Sequence, residues 1–179
     1  MNIGFDLDKI FISSPRFLPE KLVEMLYRKT ANYNKLEYRI PPLFEQKIRI
    51  ISHHSFFSPP LRKNISYVIK LSQQKKHRLH LISSRFNFLK NQTKKIISKY
   101  NLEQSFHTMV FNFENEQPHI FKLNVIKKLN IEKFIDDDLP LLEFLAEKNN
   151  KTFFYWFNKN TDLKIKKNLL AITSLEGIL

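Results

Sequence analysis

The sequence predicts an α/β protein: a doubly wound, Rossmann-like parallel sheet with helices on both faces. Two observations carry this prediction. From residue 60 onward, short apolar runs of strand length alternate with longer amphipathic runs of helix length, the pattern of successive β–α–β units. Several of the apolar runs also end in Asp or Ser, which is expected where parallel strands end together at the ligand-binding edge of such a sheet.

Six segments are predicted to be strands, because they are short, apolar and rich in β-branched or aromatic residues. They cover residues 2–7, 78–83, 108–113, 133–136, 151–157 and 169–172. The segment KTFFYWF, residues 151–157, has too few polar positions for a sheet face in contact with water. We therefore expect it to be a buried central or near-edge strand.

Helices are predicted where proline opens a segment or where apolar residues recur three and four positions apart. They cover residues 19–29, 42–51, 60–71, 87–100, 121–130 and 140–148. In the segment 42–51 the repeating apolar residues are Phe44, Ile48 and Ile51. Asn87 is predicted to cap the amino end of its helix, and Asp138 that of the helix beginning at Pro140.

The first two predicted helices interrupt the alternation, because they lie between the first strand and the regular part of the chain. We interpret them as a small helical cap inserted after the first strand. The predicted division is a core of residues 1–13 and 58–179 and a cap of residues 14–57. Phe56 and Phe57, next to Pro59 and Pro60, are expected to pack between cap and core.

The composition is that of a folded protein of one domain with a small insertion. The chain has 179 residues, of which 42% are hydrophobic and 26% charged. The absence of cysteine excludes disulfides and thiolate metal sites. No basic segment followed by a long apolar stretch opens the chain, and no apolar run approaches the roughly 18 residues of a membrane helix. We therefore expect a soluble, cytoplasmic protein with no membrane partner.

The net charge of +13 has two interpretations. A basic protein attracts anionic partners such as phosphorylated metabolites or nucleic acid. The abundance of Lys, Asn, Ile and Phe is equally what an AT-rich genome would produce. The lysines and arginines are spread along the chain without one dense block, which favours the second interpretation over a nucleic-acid-binding surface.

Acidic and hydroxyl side chains follow three of the predicted strands. Asp6 and Asp8 lie at the end of the first strand, Ser83 ends the second, and Asp136 and Asp137 lie at the end of the strand at 133–136. If these ends converge, four carboxylates meet and repel one another unless a hard divalent cation lies among them. Mg²⁺ prefers oxygen ligands of this kind. A metal site that also receives a phosphate would explain why these acids interrupt apolar segments.

These residues, in this order, resemble the four motifs of haloacid dehalogenase-like (HAD) phosphohydrolases: Asp6-Leu7-Asp8, then Ser83, then Lys122, then Asp136-Asp137. Within that superfamily, LISSRF and FIDDDLPLLEFLA are most similar to the 5'(3')-deoxyribonucleotidase-like branch. The resemblance covers the predicted core from residue 2 to about residue 157. It implies a small cap between the first and second motifs.

The resemblance also implies catalytic roles. Asp6 would attack phosphorus and form an aspartyl-phosphate, and Asp8 would protonate the leaving group and later activate water. Ser83 would donate a hydrogen bond to a phosphoryl oxygen. Lys122, which opens the helix leading to the fourth motif, would neutralise charge on the nucleophile and the phosphoryl group.

The implied metal ligands are Asp6, Asp8 through its main-chain carbonyl, and Asp136 or Asp137, all holding Mg²⁺. One position departs from the superfamily pattern. Lys9 stands where a glycine or another small residue usually follows the second aspartate. This departure bears on the substrate more than on the metal.

Three other residues have open or ordinary interpretations. Arg85 is predicted either to contact the substrate or to form a salt bridge with a neighbouring acid. His53 and His54 have no acidic or cysteine partners at metal-binding spacing, so we expect them on the cap surface or in a loop.

The predicted function is that of a Mg²⁺-dependent phosphohydrolase acting on a small phosphorylated substrate, with a nucleotidase as its narrower form. The net charge suggests an alternative, a phosphatase of nucleic-acid ends. Lys9 suggests another, a catalytically impaired HAD-like binding module. The presence of residues at all four motif positions favours an enzyme.

Overall fold

The protein is described here by a computed structural model that covers residues 1–14, 36–54, 56–158 and 167–179. Within these ranges six strands form one sheet in the order β3-β2-β1-β4-β5-β6, and every neighbouring pair is parallel. The strands are β1 (Asn2–Phe5), β2 (Arg78–Ser83), β3 (Thr108–Phe111), β4 (Lys133–Asp136), β5 (Phe153–Phe157) and β6 (Leu169–Ile172). The predicted fold class is confirmed.

Five α-helices are described. They are α1 (Leu43–Ser52), α2 (Arg62–Gln73), α3 (Lys90–Lys99), α4 (Pro118–Lys128) and α5 (Leu139–Lys148), and short 3₁₀ turns cover Asn87–Leu89, Leu102–Ser105 and Leu175–Ile178. The predicted helix at 19–29 lies outside the described residues. Helix α1 lies between β1 and α2 in the chain, where the cap is predicted, and the division at residues 14–57 stays a prediction.

Alternate residues of each strand point to opposite faces of the sheet, and each face has its own core. Ile3 and Phe5 of β1 belong to one apolar cluster, which also contains Ile65 of α2 and Ile96 of α3. Phe134 of β4 belongs to the opposite cluster, which includes apolar residues of α4 and α5. Helices on both faces therefore bury the sheet, as a parallel sheet requires.

Gly4 allows β1 to pack in the centre of this sheet. A Cβ atom at Gly4 would lie 2.9 Å from the Phe134 ring and 3.2 Å from the Ile82 side chain. Because real Cβ atoms do not approach carbon so closely, only glycine lets the second core close over β1. The close packing holds β1 beside β4.

The position of β1 determines where a ligand can bind. From β1 the chain passes to β2 and β3 on one side, then returns to place β4 on the other side of β1. Such a reversal opens a crevice at the carboxyl ends of the two strands, where doubly wound proteins bind their ligands. The Asp6 amide donates to the Ile135 carbonyl at 2.9 Å, so the ends of β1 and β4 are adjacent.

Local predictions had mixed outcomes. Asp138 caps α5 as predicted, because its carboxylate accepts from the Leu141 amide. Asn87 does not cap a helix through its side chain; it opens a 3₁₀ turn instead. The expected packing of Phe56 between cap and core is wrong, since this side chain is 80% exposed. Across the described ranges, no helix combines the length and apolar character needed to cross a bilayer.

Candidate active site

The loop after β1 holds its first acidic residue in a buried position. Asp6 is buried, and its Oδ2 accepts a hydrogen bond from the Asp8 amide at 2.8 Å. The Phe11 amide donates to the Leu7 carbonyl at 3.0 Å and closes the turn. This geometry fixes the Asp6 carboxylate at the end of β1, in the crevice beside β4.

Lys122 joins the acids of β1 and β4. Its ammonium lies 2.7 Å from Asp6 Oδ1 and 2.6 Å from Asp136 Oδ2, and all three side chains are buried. Lys122 reaches this position from α4, which packs on the face of the sheet that contains Phe134. The remaining Asp136 oxygen, Oδ1, accepts from the Asp138 amide at 3.1 Å.

Burial and charge act against each other in this triad. Burial raises the pKa of Asp6 and of Asp136, and the Lys122 ammonium opposes that rise in both without cancelling it. For Lys122, burial alone would lower the pKa, but the attraction of Asp136 and Asp6 outweighs it and raises the pKa above the usual value. Lys122 is therefore a permanent cation, and a further cation nearby would favour ionisation of both acids.

Arg85 forms a two-point ion pair with Asp8. Its Nε donates to Asp8 Oδ2 at 2.8 Å and its Nη2 to Oδ1 at 2.6 Å, while Nη1 lies 3.3 Å from Thr93 Oγ1. Burial would raise the pKa of Asp8, but Arg85 outweighs that effect and lowers the pKa to about 2. Of the two interpretations of Arg85, the salt bridge is the one present in this structure.

Lys9 occupies the outer part of the same acidic group. Its ammonium lies 3.0 Å from Asp137 Oδ2, and its backbone is left-handed, with φ at 54°. The pKa of Asp137 is raised to about 7. Burial is the main cause, the charge of Asp136 adds to the rise, and the Lys9 ammonium opposes it. The Trp156 indole donates to the Asp137 carbonyl at 2.9 Å and anchors that residue's backbone.

Three of the acids form a cluster suited to Mg²⁺. Asp6, Asp136 and Asp137 each offer a carboxylate oxygen, and these oxygens lie within 4.8 Å of one another. A set of hard carboxylate oxygens on two neighbouring strand ends fits the donor preference of Mg²⁺. The Asp8 carboxylate is engaged by Arg85 and lies outside this cluster, so its predicted contribution rests on its main-chain carbonyl alone.

Ser83 ends β2 and is buried beside this crevice. In the described part of the chain its Oγ finds no hydrogen-bond partner. A buried hydroxyl without a partner is unfavourable and remains available to a ligand oxygen. Its neighbours Ser84 and Arg85 line the cavity described next, whereas Ser83 itself is not part of that lining.

A cavity of about 350 Å³ opens over the carboxylates. On the side of the sheet it is bounded by Asp6, Asp8, Lys9, Lys122, Asp136 and Asp137. A polar wall of the cavity comes from the predicted cap and consists of Ser14, Tyr38, Arg49, Ser52 and His53. The lining also includes aromatic residues of the predicted core, Phe86, Phe88 and Trp156. The volume suits a small organic ligand.

Arg49 of α1 and His53, in the turn that follows α1, line the cavity although the sequence did not predict either as a site residue. Both are buried, and His53 Nδ1 lies 2.8 Å from the Arg49 carbonyl. Burial lowers the pKa of His53 to about 4, so its ring is neutral near pH 7 and Nδ1 donates to that carbonyl. His53 lies in the turn after α1, which agrees with the predicted loop, but it is buried and not on the cap surface.

The misleading signal was the apolar pattern of α1. Ile48 and Ile51 lie on its exposed side, and Ile51 is 60% exposed, whereas Arg49 and Ser52 are buried. Spacing shows that a helix has two faces, but it does not show which face meets the core. Arg49 and His53 are four residues apart in the sequence, and this spacing could have indicated a polar face on α1.

No protein-family model matches the chain, and no curated protein matches it. Solved structures do match in fold. A Thermotoga maritima protein assigned as a β-phosphoglucomutase aligns over 99% of both chains, with TM-score 0.58 and 16% identity. A HAD-family enzyme from Bacteroides thetaiotaomicron, a mutant in complex with magnesium and inorganic phosphate, covers 90% of this chain and 95% of its own, with TM-score 0.56 and 16% identity.

A third match is a chain of the Pnkp1/Rnl/Hen1 RNA repair complex. It aligns over 87% of this chain with TM-score 0.54 and 13% identity, and this chain spans 42% of its length. At such identities the similarity establishes the architecture. The protein has the α/β fold of HAD-superfamily hydrolases, with an acidic cluster suited to Mg²⁺ at the carboxyl edge of its sheet.

Proposed function

We propose that this protein is a Mg²⁺-dependent phosphohydrolase that cleaves a phosphomonoester through an aspartyl-phosphate on Asp6. The observation that carries the proposal is the position of Lys122, whose ammonium joins Asp6 to Asp136 beneath a cavity of small-molecule size. A buried cation between two strand-end carboxylates can neutralise the negative charge of an incoming phosphoryl group. Mg²⁺ held by Asp6, Asp136 and Asp137 would supply further charge neutralisation.

In the first half-reaction an Asp6 carboxylate oxygen attacks phosphorus, and the bond from phosphorus to the ester oxygen breaks. Asp8 gives its proton to the departing oxygen. The low pKa of Asp8 belongs to the ligand-free site, where Arg85 holds the carboxylate. An anionic phosphoryl group beside Asp8 competes for Arg85 and disfavours a second negative charge, so substrate binding raises the Asp8 pKa and lets it carry the proton.

In the second half-reaction water attacks the phosphorus of the aspartyl-phosphate. Asp8 accepts a proton from that water, the bond between phosphorus and the Asp6 oxygen breaks, and inorganic phosphate leaves. Lys122 stabilises the Asp6 carboxylate as it is restored. The Ser83 hydroxyl, which has no hydrogen-bond partner among the described residues, is the proposed donor to a phosphoryl oxygen. Because Ser83 is not part of the cavity lining, this role requires its side chain to turn towards the cavity.

The narrower form of this proposal is a nucleotidase. It is supported by the cavity lining, in which Phe86, Phe88 and Trp156 accompany the carboxylates. Aromatic side chains in a small cavity can pack against a nucleobase while the phosphate reaches the acids.

A second candidate function is the removal of phosphate from nucleic-acid ends. The net charge of +13 favours it, because a strongly basic protein gains affinity for polyanions. The chain of the RNA repair complex shares the fold, which is consistent with this candidate. Dependence on salt distinguishes the two substrates, since contacts with several phosphates weaken steeply as salt rises.

The test is phosphate release from nucleoside monophosphates, sugar phosphates and a 3'-phosphorylated oligonucleotide, with MgCl₂ and with EDTA. We expect turnover that requires Mg²⁺ and falls about a thousandfold or more in Asp6→Asn. Glu103→Gln, which removes one exposed acid from the 3₁₀ turn before β3, is the matched control and should retain wild-type rates.

Each outcome selects one function. Preference for a mononucleotide supports the nucleotidase, and a preferred oligonucleotide with salt-sensitive KM supports the second candidate. If the folded wild-type protein releases no more phosphate than Asp6→Asn from any substrate, the hydrolase proposal is wrong and a binding module replaces it.

A further inference from the structure

Lys9, in the loop after β1, has a side chain that neither the fold nor the proposed reaction explains. Its backbone φ of 54° lies in the left-handed region, where glycine is favoured over a residue with a side chain. The Lys9 amide donates to the Ile12 carbonyl at 2.7 Å, so the turn itself requires this conformation. The contacts of the lysine side chain therefore have to explain why a lysine occupies this position.

The Lys9 ammonium contacts the outer carboxylate of the proposed metal site. It lies 3.0 Å from Asp137 Oδ2, and an oxygen of Asp137 lies within 4.8 Å of oxygens from Asp6 and Asp136. An ion held by these acids would therefore share the Asp137 carboxylate with the Lys9 ammonium. Two cations at one carboxylate repel each other, and this repulsion would weaken ion binding.

Lys9 and Lys122 serve the acidic cluster in different ways. Lys122 is buried and binds two carboxylates at once, so it is a fixed part of the site. The Lys9 side chain is 37% exposed and that of Asp137 is 19% exposed. A partly solvated lysine on a flexible stem can leave its partner, and Lys9 also lines the cavity into which it would move.

We propose that Lys9 is a built-in competitor of Mg²⁺: its ammonium holds Asp137 in the ion-free protein and transfers to an anionic ligand when the ion binds. This inference rests on the proposed function, because it requires a Mg²⁺ site that serves a phosphorylated substrate. The ion and the anion then bind cooperatively. Mg²⁺ releases the ammonium for the anion, and the anion withdraws it from Asp137, so each increases the affinity for the other by the same factor.

The test measures binding by calorimetry, with Mg²⁺ titrated in the presence and absence of inorganic phosphate. Lys9→Met removes the ammonium and keeps an unbranched side chain. Lys9→Gly also removes it and relaxes the left-handed backbone, so it serves if Lys9→Met is unstable. The matched control is Lys75→Met, because Lys75 has the same φ of 54°, is exposed and precedes β2 at the opposite edge of the sheet.

We expect wild type and Lys75→Met to bind Mg²⁺ alike, and several-fold more tightly with phosphate present. Both Lys9 variants should bind Mg²⁺ about three- to tenfold more tightly than wild type without phosphate. In them, added phosphate should enhance Mg²⁺ affinity less than it does in wild type.

Two results would overturn the proposal. One of them leaves the proposed metal site intact, and the other contradicts the metal site as well. If the Lys9 variants bind Mg²⁺ with the wild-type Kd and the wild-type response to phosphate, Lys9 is no competitor, while the metal site stands. If neither wild type nor either Lys9 variant binds Mg²⁺, the metal-dependent function fails together with the role of Lys9.

Discussion

Arg85 and Asp8 are 77 residues apart in the chain, and in the folded protein they form two parallel hydrogen bonds of 2.8 and 2.6 Å. The planar guanidinium holds the carboxylate by both oxygens, a geometry that a lysine cannot reproduce. The pair keeps Asp8 ionised in the ligand-free protein, since Arg85 lowers its pKa to about 2. The proton that the proposed reaction needs must therefore arrive with the substrate.

Loss of Arg85 should change the pH dependence of the reaction. In Arg85→Met the guanidinium that most strongly lowers the Asp8 pKa is gone. The smaller effects of His53 and Lys122 remain against that of burial, so the pKa rises above its wild-type value. If ionised Asp8 in the free enzyme is required, the acid limb of kcat/KM moves to higher pH. Arg85→Lys keeps a charge and should move the limb less. The measurement is the pH dependence of kcat/KM. If its acid limb is unchanged in Arg85→Met, the group that titrates in that limb is not Asp8.

Loss of Lys122 should destabilise the fold as well as stop the reaction. Lys122→Met leaves the buried Asp6 and Asp136 without their shared cation, and breaking a buried ion pair typically lowers the free energy of unfolding by about 3–5 kcal/mol. Urea unfolding at pH 7 measures the change. Lys128→Met, an exposed lysine on the same helix, should change stability by about 0.5 kcal/mol or less. Equal effects of the two substitutions would contradict this account of the triad.

Loss of the Tyr38 hydroxyl should weaken substrate binding more than chemistry. Its OH donates to Asp138 Oδ2 at 2.8 Å and ties the polar wall of the cavity to the carboxyl end of β4. In Tyr38→Phe we expect KM to rise about threefold to tenfold, with kcat within about twofold of wild type. Tyr100→Phe is the control, since the Tyr100 hydroxyl has no partner in the ranges described and lies outside the cavity lining. A fall in kcat alone would assign Tyr38 a different role.

His80 should make the fold sensitive to acid. It is buried in β2, neither ring nitrogen has a hydrogen-bond partner among the described residues, and burial lowers its pKa to about 4. An unfolded histidine titrates near 6.5, so between about pH 4 and 6.5 the unfolded chain binds more protons here, and stability is lost as pH falls.

Substitution of His80 by leucine isolates this effect. His80→Leu removes two buried nitrogens without partners and should raise the free energy of unfolding by about 1 kcal/mol at pH 7. The gain over wild type should grow as pH falls from 6.5 towards 4, in urea titrations at each pH. A gain that does not vary with pH would show that His80 does not titrate in this range.

Several parts of the fold could be predicted from the chain because local pattern decides them. The bounds of three strands, Arg78–Ser83, Lys133–Asp136 and Leu169–Ile172, agree with the predicted ones. Each is a short apolar run with polar residues on either side. The strand at the amino end was predicted to reach residue 7 and stops at Phe5, because Asp6 and Asp8 close a turn there.

The sequence itself therefore determines which acids lie at the strand ends. The alternation of apolar and amphipathic segments predicts parallel strands, and the carboxyl ends of such strands converge. The choice of partner among those acids is decided by the tertiary structure. Lys122 meets Asp6 across 116 residues, and which acid Arg85 or Lys9 would contact depends on ångström-scale distances between elements remote in the chain. Spacing in sequence does not encode those distances, because helix packing against both faces of the sheet sets them. For the same reason, the face of α1 that carries Arg49 became visible only in the folded protein.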